Sequence, residues 1–312
     1  MGISRFVRDF SDWSIPMFSF SRAQLLLGTV VIVFFGLSPT APSRASAEVR
    51  ATTVPGDACG AKVAKPLLGY WKCTFVDNFS GTTLNKAKWN YQDTSVTGFV
   101  LGRSCFRPGV NTRLAKGALR LSVTRKAEPF TCKSPYGNIQ TRYLGADIST
   151  YGKFEQPYGR FQARLRYPTP YPAGYHGGFW LNPQDHAYGS WPLSGELDIA
   201  EWWSSTPTHV YPSLHYLGSS INDSGMNCII GDPSKFHTYT MEWSLIDIKF
   251  FYDGKRCFTR ALTPILLLGG PMPFDQRFYI SLTFGEGGPV GPSTSKTPFP
   301  ATMVVDYVKV WS

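Results

Sequence analysis

Apolar and polar residues alternate along several short segments of the chain, and this pattern limits the fold more than any other feature. Residues 118–124 and 160–167 both place apolar side chains at every second position. A period of two residues is typical of a half-buried strand, whose side chains point alternately to the core and to solvent. Residues 246–258 predict a hairpin that turns at Asp253-Gly254, and residues 303–311 predict a last strand.

The composition agrees with a fold built from strands. Only 17% of the 312 residues are charged, and the chain contains 30 Gly and 24 Pro. These values disfavour a coiled coil or a helical bundle. Helical turns are predicted only for residues 83–89 and 232–236. The sequence therefore predicts an all-β protein in which two antiparallel sheets pack face to face.

The first 47 residues resemble a secretion signal peptide. Arginines precede an apolar run over residues 25–37, which is shorter than the roughly 20 residues of a membrane span. Ala45-Ser46-Ala47 offers a small-residue cleavage site. Cleavage after Ala47 would leave residues 48–312 as a single secreted domain with no membrane segment; an uncleaved anchor is the alternative.

All six cysteines follow the proposed cleavage site. An even number of cysteines in a secreted chain predicts disulfides, although six cysteines allow 15 pairings. Short separation in the sequence favours Cys59 with Cys73, Cys105 with Cys132, and Cys228 with Cys257. The absence of a CxxC spacing argues against a zinc site.

The chain has a formal net charge of +10, of which the proposed signal peptide carries +2, with four Arg and two Asp. A basic surface suits an acidic polysaccharide or a cell wall, and an ordinary solvated surface is the alternative. Lys and Arg form no dense cluster, so we expect no nucleic-acid partner. We expect a monomer.

Three carboxylates lie within six residues, at Glu196, Asp198 and Glu201. On a strand, Glu196 and Asp198 share one face, and the apolar residues between them face the core. Glu201 has the opposite parity. A single bulged residue near Ala200 would return Glu201 to the face of the other two.

This arrangement predicts acid–base chemistry on a glycosidic bond. Glu196 and Glu201 would lie roughly 13 Å apart between Cα atoms at ~3.3 Å per residue. Side chains that lean inward could reduce the carboxyl separation to the ~5–5.5 Å of a retaining glycosidase. Three like charges cannot all ionise easily, so we expect one proton to be held, shared through Asp198. The alternatives are a calcium cluster, whose loop would be rich in Gly, Asn and Asp, and a solvated acidic edge, which would not alternate with Leu and Ile.

The segment Trp191-Pro-Leu-Ser-Gly-Glu-Leu-Asp-Ile-Ala-Glu201 resembles the signature of glycoside hydrolase family 16, in its laminarinase-like, bulged form. Further similarities occur in the order found in the family. They are Phe75-Val-Asp-Asn-Phe79, Tyr158-Gly-Arg-Phe-Gln-Ala-Arg-Leu165, Phe179-Trp-Leu181, Pro273-Phe-Asp-Gln276 and Val305-Asp-Tyr-Val308.

The resemblance implies a concanavalin-like β-jelly roll with a concave substrate cleft. It assigns Glu196 as nucleophile, Asp198 as its assistant and Glu201 as general acid/base. The implied activity is that of a secreted, endo-acting, retaining β-glycan hydrolase on β-1,3-glucan or mixed β-1,3-1,4-glucan. No cofactor is expected, apart from a structural calcium ion near Asp306 as a weak candidate.

Five residues are candidates for substrate binding. Trp191 would be a stacking platform for a sugar ring, with a core Trp as the alternative. Trp180, Trp202 and His215 are further candidates. The fifth is His176, which stands where many relatives have Trp, and this difference puts β-1,3-glucan specificity in doubt.

Three rival functions use the same fold. A transglycosylase would pass the glycosyl unit to another sugar, and a galactan hydrolase would act on agar or carrageenan. A non-catalytic carbohydrate-binding module would not need the carboxylates.

Overall fold

The computed structural model describes residues 58–66, 68–263, 271–288 and 291–312, which all belong to one compact unit. The predicted signal peptide and its cleavage site lie outside the described residues. None of the described helices is long and apolar enough to cross a membrane.

The described residues form mainly strands. In chain order these are β1 (Cys73–Asp77), β2 (Asn90–Tyr91), β3 (Ser104–Cys105), β4 (Thr112–Ala115), β5 (Ala118–Cys132), β6 (Ile139–Leu144), β7 (Ala146–Ser149), β8 (Glu155–Gln156), β9 (Gly159–Arg166), β10 (Tyr175–Pro183), β11 (Glu196–Trp203), β12 (Tyr211–His215), β13 (His237–Trp243), β14 (Asp247–Tyr252), β15 (Lys255–Ala261), β16 (Phe278–Glu286) and β17 (Ala301–Trp311). One short α-helix, α1, covers Thr94–Thr97, and one 3-10 turn covers Ile221–Asp223.

The strands build two sheets. The ten-stranded sheet has the order β15-β14-β13-β9-β17-β5-β6-β3, with β1 on β17 and β4 on β5. The seven-stranded sheet has the order β12-β11-β10-β16-β7-β2, with β8 on β16. The paired strands are antiparallel, except for the short parallel contact between β3 and β6. The two curled sheets form the expected all-β jelly roll.

The core lies between the sheets because each strand turns its apolar positions inward. In β9, Phe161, Ala163 and Leu165 are fully buried, and the polar residues between them are half-buried on the outer face. β11 contributes Leu197 and Trp202 from the opposite sheet. The period-two segments of the sequence are therefore confirmed as strands with one face in the core.

The hairpin predicted at Asp253-Gly254 is confirmed between β14 and β15. Both residues have positive φ, 49° for Asp253 and 78° for Gly254. Two positive φ values in a two-residue loop match the twist of the flanking strands, which explains the preference for this dipeptide. The Asp253 carboxylate also accepts a hydrogen bond from the backbone N–H of Thr238.

Neither of the two predicted helical turns extends into a regular helix, but each segment contains a single hydrogen-bonded turn. Residues 83–89 contain a hydrogen-bonded turn closed on the carbonyl of Asn85, and residues 232–236 contain a turn in which the Asp232 carboxylate accepts from the Ser234 backbone N–H. An Asp side chain that accepts from a nearby backbone N–H satisfies that group locally and favours a turn over a helix. The short helix α1, capped by Asp93, was not predicted.

The three disulfides favoured by short sequence separation are all present, at Cys59–Cys73, Cys105–Cys132 and Cys228–Cys257. The third joins the segment after β12 in the seven-stranded sheet to β15 at the edge of the ten-stranded sheet. It therefore ties the two sheets together near one end of β11.

We expect the double change Cys228→Ala with Cys257→Ala to lower the free energy of unfolding by about 3 kcal/mol. The bond closes a loop of sequence separation 29, and its loss frees that loop in the unfolded chain. Urea unfolding of oxidised protein measures the effect. An unchanged unfolding midpoint would contradict it.

Candidate active site

The three carboxylates lie on β11, and a bulge in that strand sets their direction. Against β12, Asp198 pairs with Ser213 and Glu201 pairs with Tyr211, so β11 has one residue more than its partner between these pairs. The register against β10 shifts at the same place. The predicted bulge near Ala200 is therefore confirmed.

The bulge sends two consecutive residues, Ile199 and Ala200, into the core, where both are fully buried. Because two residues face inward, the polar face of the strand resumes at Glu201. Glu196, Asp198 and Glu201 consequently line one cleft on the seven-stranded sheet. The other residues of this cleft are Phe99, Leu101, His176, Gly178, Trp180 and Thr283.

His215, at the end of β12, contacts two of the carboxylates. Its Nε2 lies 2.8 Å from Asp198 Oδ2 and 3.9 Å from Glu196 Oε1. Burial lowers the pKa of His215, but the hydrogen bond with Asp198 and the three carboxylate charges raise it to about 9 overall. His215 is therefore cationic at neutral pH and holds Asp198 in place.

Burial and neighbouring carboxylates raise the pKa values of Glu196 and Asp198. Burial and the charge of Asp198 raise the pKa of Glu196, while His215 lowers it. Burial and the charge of Glu201 likewise raise the pKa of Asp198, against the hydrogen bond from His215. The free site thus tends to keep a proton, which belongs to the coupled group rather than to one residue.

Glu201 has its own imidazole partner. His176 on β10 places Nε2 2.9 Å from Glu201 Oε1, and its ring is almost fully buried. His176 was expected to alter a sugar subsite, but the structure places it in direct contact with a carboxylate of the β11 group.

The tryptophans of the sequence analysis occupy different environments. Trp191 is 59% exposed, and its ring lies 6.1 Å from that of His215. Trp180 is half-buried in the cleft beside Phe99. Both positions are open to a sugar.

Trp202 was expected to bind substrate, but the structure places it in the core. Its side chain has no exposed surface, stacks on Tyr167 at 4.4 Å and donates a hydrogen bond to the carbonyl of Pro207. The bulge that returns Glu201 to the cleft necessarily turns Trp202 to the core. The neighbouring Trp203, which the sequence analysis missed, is the one on the face of Glu201, with its ring 5.9 Å from that of His176.

A polar chain beside the carboxylates was also missed. Trp180 Nε1 donates to Thr283 Oγ1 at 2.8 Å, and the Thr283 hydroxyl donates to the carboxyl of Asp147. Burial raises the pKa of Asp147 to about 7, although the bond from Thr283 lowers it. Asp147, Thr283, Gly178 and Glu201 lie in one row across four strands. That row depends on strand register, for which the sequence carries no local signal.

Two further places are relevant to cation binding. Asp306 lies on the ten-stranded sheet, and its Oδ2 accepts a hydrogen bond from Arg164 at 2.6 Å. Ligand atoms of Glu196, Asp198 and His215 lie within 4.8 Å of one another, a set that could also hold a cation. The His215–Asp198 hydrogen bond already satisfies two of these groups. Calcium binding stays a prediction.

A larger hollow, of about 460 Å³, lies beside β1 and is lined by Asp77, Lys88, Leu114 and other residues. Asp77 is the one carboxylate among the residues that line it. Its oxygens accept hydrogen bonds from the Phe79 N–H and from Trp89 Nε1. The hollow therefore offers no carboxylate pair, and acid–base chemistry is assigned to the cleft on the seven-stranded sheet.

Comparisons with known proteins agree with this geometry. The family model described as "Glycosyl hydrolases family 16" matches residues 110–308. The chain is 28% identical over 275 residues to the glucan endo-1,3-beta-glucosidase A1 of Niallia circulans, covering 79% of this chain and 38% of that protein. It is also 28% identical to the glucan endo-1,3-beta-glucosidase of Cryptopygus antarcticus, covering 78% of this chain and 93% of the relative.

Solved structures show the same fold. The endo-beta-1,3-glucanase of Pyrococcus furiosus superposes with a TM-score of 0.68 at 25% identity, covering 83% of this chain and 98% of that chain. The laminarinase catalytic domain of Thermotoga petrophila RKU-1 gives 0.65 at 25% identity, covering 78% and 98%.

We expect Asp147→Asn to stabilise the protein at pH 8 and to change little at pH 4. The folded pKa of about 7 lies above the ordinary value of 3.8, so the stability linked to this group is present below about pH 4 and is lost as the pH rises through 7. Asn mimics the protonated carboxyl and avoids that loss, which is about 2–4 kcal/mol at pH 8. Urea unfolding across this range measures it; a difference independent of pH would contradict it.

Proposed function

Because this chain belongs to glycosyl hydrolase family 16 and is therefore a glycoside hydrolase, we propose that it cleaves internal bonds of a β-1,3-glucan or a mixed β-1,3-1,4-glucan with retention of configuration. One observation carries the proposal: the bulge at Ile199-Ala200 brings Glu196, Asp198 and Glu201 onto one wall of an open cleft.

In the first step, the proton shared by the carboxylate group lies on Glu201. The Glu196 carboxylate attacks the anomeric carbon, and Glu201 gives that proton to the departing glycosidic oxygen. The C–O bond of the glycan breaks as the bond between Glu196 and the sugar forms. Asp198, held by His215, lies between the two glutamates along the strand. The hydrogen bond with His215 fixes the orientation of Asp198 beside Glu196.

In the second step, Glu201 is a carboxylate and takes a proton from a water molecule, whose oxygen attacks the same carbon from the other side. Glu196 leaves as a carboxylate, and Glu201 is again protonated. Each residue thus returns to its starting state, and two inversions give net retention.

The β-glucan substrate is supported by the names of the relatives, several of which are endo-1,3-beta-glucanases, and by exposed aromatic surface at the cleft. Trp191 is suited to stack on the apolar face of a pyranose, and Trp180 lies deeper beside the carboxylates. His176, which differs from the family pattern, keeps a galactan such as agar or carrageenan open as the substrate.

Secretion forms part of the proposal. Three disulfides in a chain of this size suit an oxidising compartment such as the cell exterior. An exported enzyme also meets polysaccharides that are too large to enter a cell.

A panel of laminarin, lichenan, agarose, carrageenan and xyloglucan, followed by reducing-end release, tests the substrate. Chromatographic sizing of the products distinguishes hydrolysis from transglycosylation, because transfer produces chains longer than the substrate. Binding of laminarin without any release of reducing ends would favour a carbohydrate-binding module.

We expect Glu196→Gln to lower activity by several orders of magnitude on every substrate, because no glycosyl-enzyme can form. Glu201→Gln should retain the first step for a dinitrophenyl glycoside, whose leaving group needs no proton. With azide added, it should release a β-glycosyl azide. Asp198→Asn should be milder than either. NMR of early products decides the stereochemistry: an α-anomer as first product would mean inversion and would exclude Glu196 as nucleophile.

We expect Trp191→Ala to lower kcat/KM on the glycan by roughly 5- to 150-fold, which corresponds to roughly 1–3 kcal/mol of lost apolar contact. Tyr70→Ala is the matched control, because Tyr70 is 61% exposed and precedes β1, which belongs to the ten-stranded sheet rather than to the sheet of the carboxylates. Equal kinetics for the two variants would assign Trp191 no role in sugar binding.

A further inference from the structure

The contact between His176 and Glu201 is built by the pairing of β10 with β11. Glu201 faces Gly178 across the two strands, and His176 faces Trp203. Gly178 has no side chain, so the space beside Glu201 is open to the diagonal neighbour His176 two residues away. Diagonal neighbours on one face of a sheet are within reach of long side chains. The resulting distance from Nε2 to Oε1 is 2.9 Å.

The opposite edge of the His176 ring decides which ring nitrogen donates. Nδ1 is buried and has no hydrogen-bond partner among the described residues. The backbone of Gly288 closes over it, since a Cβ atom at Gly288 would lie 2.6 Å from Nδ1. A proton on Nδ1 would be a buried donor without an acceptor, which is costly. The tautomer with its proton on Nε2 avoids this cost and donates to Glu201.

A donor fixed on Oε1 restricts what Glu201 can do. Oε1 is occupied, so the proton that Glu201 transfers is carried by Oε2, and rotation of the carboxyl group is limited. The same donor stabilises the carboxylate that forms as the proton leaves. General-acid catalysis depends on such positioning, because a small displacement of the donor slows proton transfer strongly.

We propose that His176 is a positioning residue for the first step, which orients Glu201 through the Nε2–H···Oε1 bond so that Oε2 faces the glycosidic oxygen. This rests on the proposed function, in which Glu201 is the general acid/base. The two ends of the carboxylate group then have separate imidazoles: His215 holds Asp198 beside the nucleophile, and His176 holds the acid.

The test compares His176→Leu, which keeps bulk without a donor, with His176→Gln, whose side-chain amide can donate from nearly the same place. Each is assayed on laminarin and on the 2,4-dinitrophenyl β-glycoside of laminaribiose. Since kcat/KM reports the first step, we expect His176→Leu to lose roughly 10- to 100-fold on laminarin and less than about 3-fold on the dinitrophenyl substrate. His176→Gln should recover most of the loss.

His237→Leu is the matched control. It removes another imidazole–carboxylate pair, the 2.6 Å contact with Asp253 on the ten-stranded sheet. This variant should change kcat/KM equally on both substrates or not at all. A parallel loss on both substrates for His176→Leu, or no recovery in His176→Gln, would overturn the inference and assign His176 to packing or sugar binding.

Failure of the proposed function has a different signature. If wild-type protein releases an α-anomer first, or if Glu201→Gln keeps full activity on laminarin, the roles of the carboxylates are wrong whatever His176 does. If the wild-type protein retains configuration and the His176 variants do not discriminate between leaving groups, only the inference on His176 fails.

Discussion

The site depends on two consecutive residues of β11, Ile199 and Ala200, that both face the core. In a regular strand, Glu201 would point between the sheets and bury a carboxylate among apolar side chains, at a large cost in free energy. The bulge avoids that cost because hydrophobic burial of Ile199 and Ala200 fixes the extra residue in place. The same core packing that stabilises the jelly roll therefore places the third carboxylate in the cleft.

Concentrating three carboxylates on one wall works against stability, and the surrounding residues offset the repulsion. Burial and mutual charge raise the pKa values of Glu196 and Asp198, so the group holds a proton that isolated carboxylates would lose. His215 supplies a positive charge at one end. Unfavourable clusters of like charges are common where function requires them, and interactions elsewhere in the fold must compensate for their cost.

The sequence predicted the features that arise within one segment. The strand periods, the Asp253-Gly254 turn and the bulge near Ala200 all follow from the order of apolar and polar residues along a few positions. The disulfides also followed from short separation. The substrate-binding assignment of Trp202 was wrong because side chains alternate along the strand. The bulge that returns Glu201 to the cleft must therefore bury Trp202.

Features that depend on register between distant segments could not be predicted. Asp147 and Thr283 are 136 positions apart, yet β7 and β16 place them side by side. The contact of His176 with Glu201 has the same origin. The motif shows that residue 176 differs from the family pattern, but only the pairing of β10 with β11 shows which carboxylate it meets.

Two adjacent glycines of β10 explain how one strand serves both faces of the sheet. Gly177 faces the core side, where a Cβ atom would lie 2.9 Å from the ring of Tyr167, and its absence leaves room for Tyr167 to stack on Trp202. Gly178 faces the cleft and leaves Glu201 uncovered for His176. A side chain at the first position would disturb the core beneath the bulge, and a Cβ atom at the second would lie 3.2 Å from the ring of Trp180 in the cleft. The small residue at position 177 is thus a condition for the aromatic stack below the sheet, and the one at position 178 leaves room for the ring of Trp180 above it.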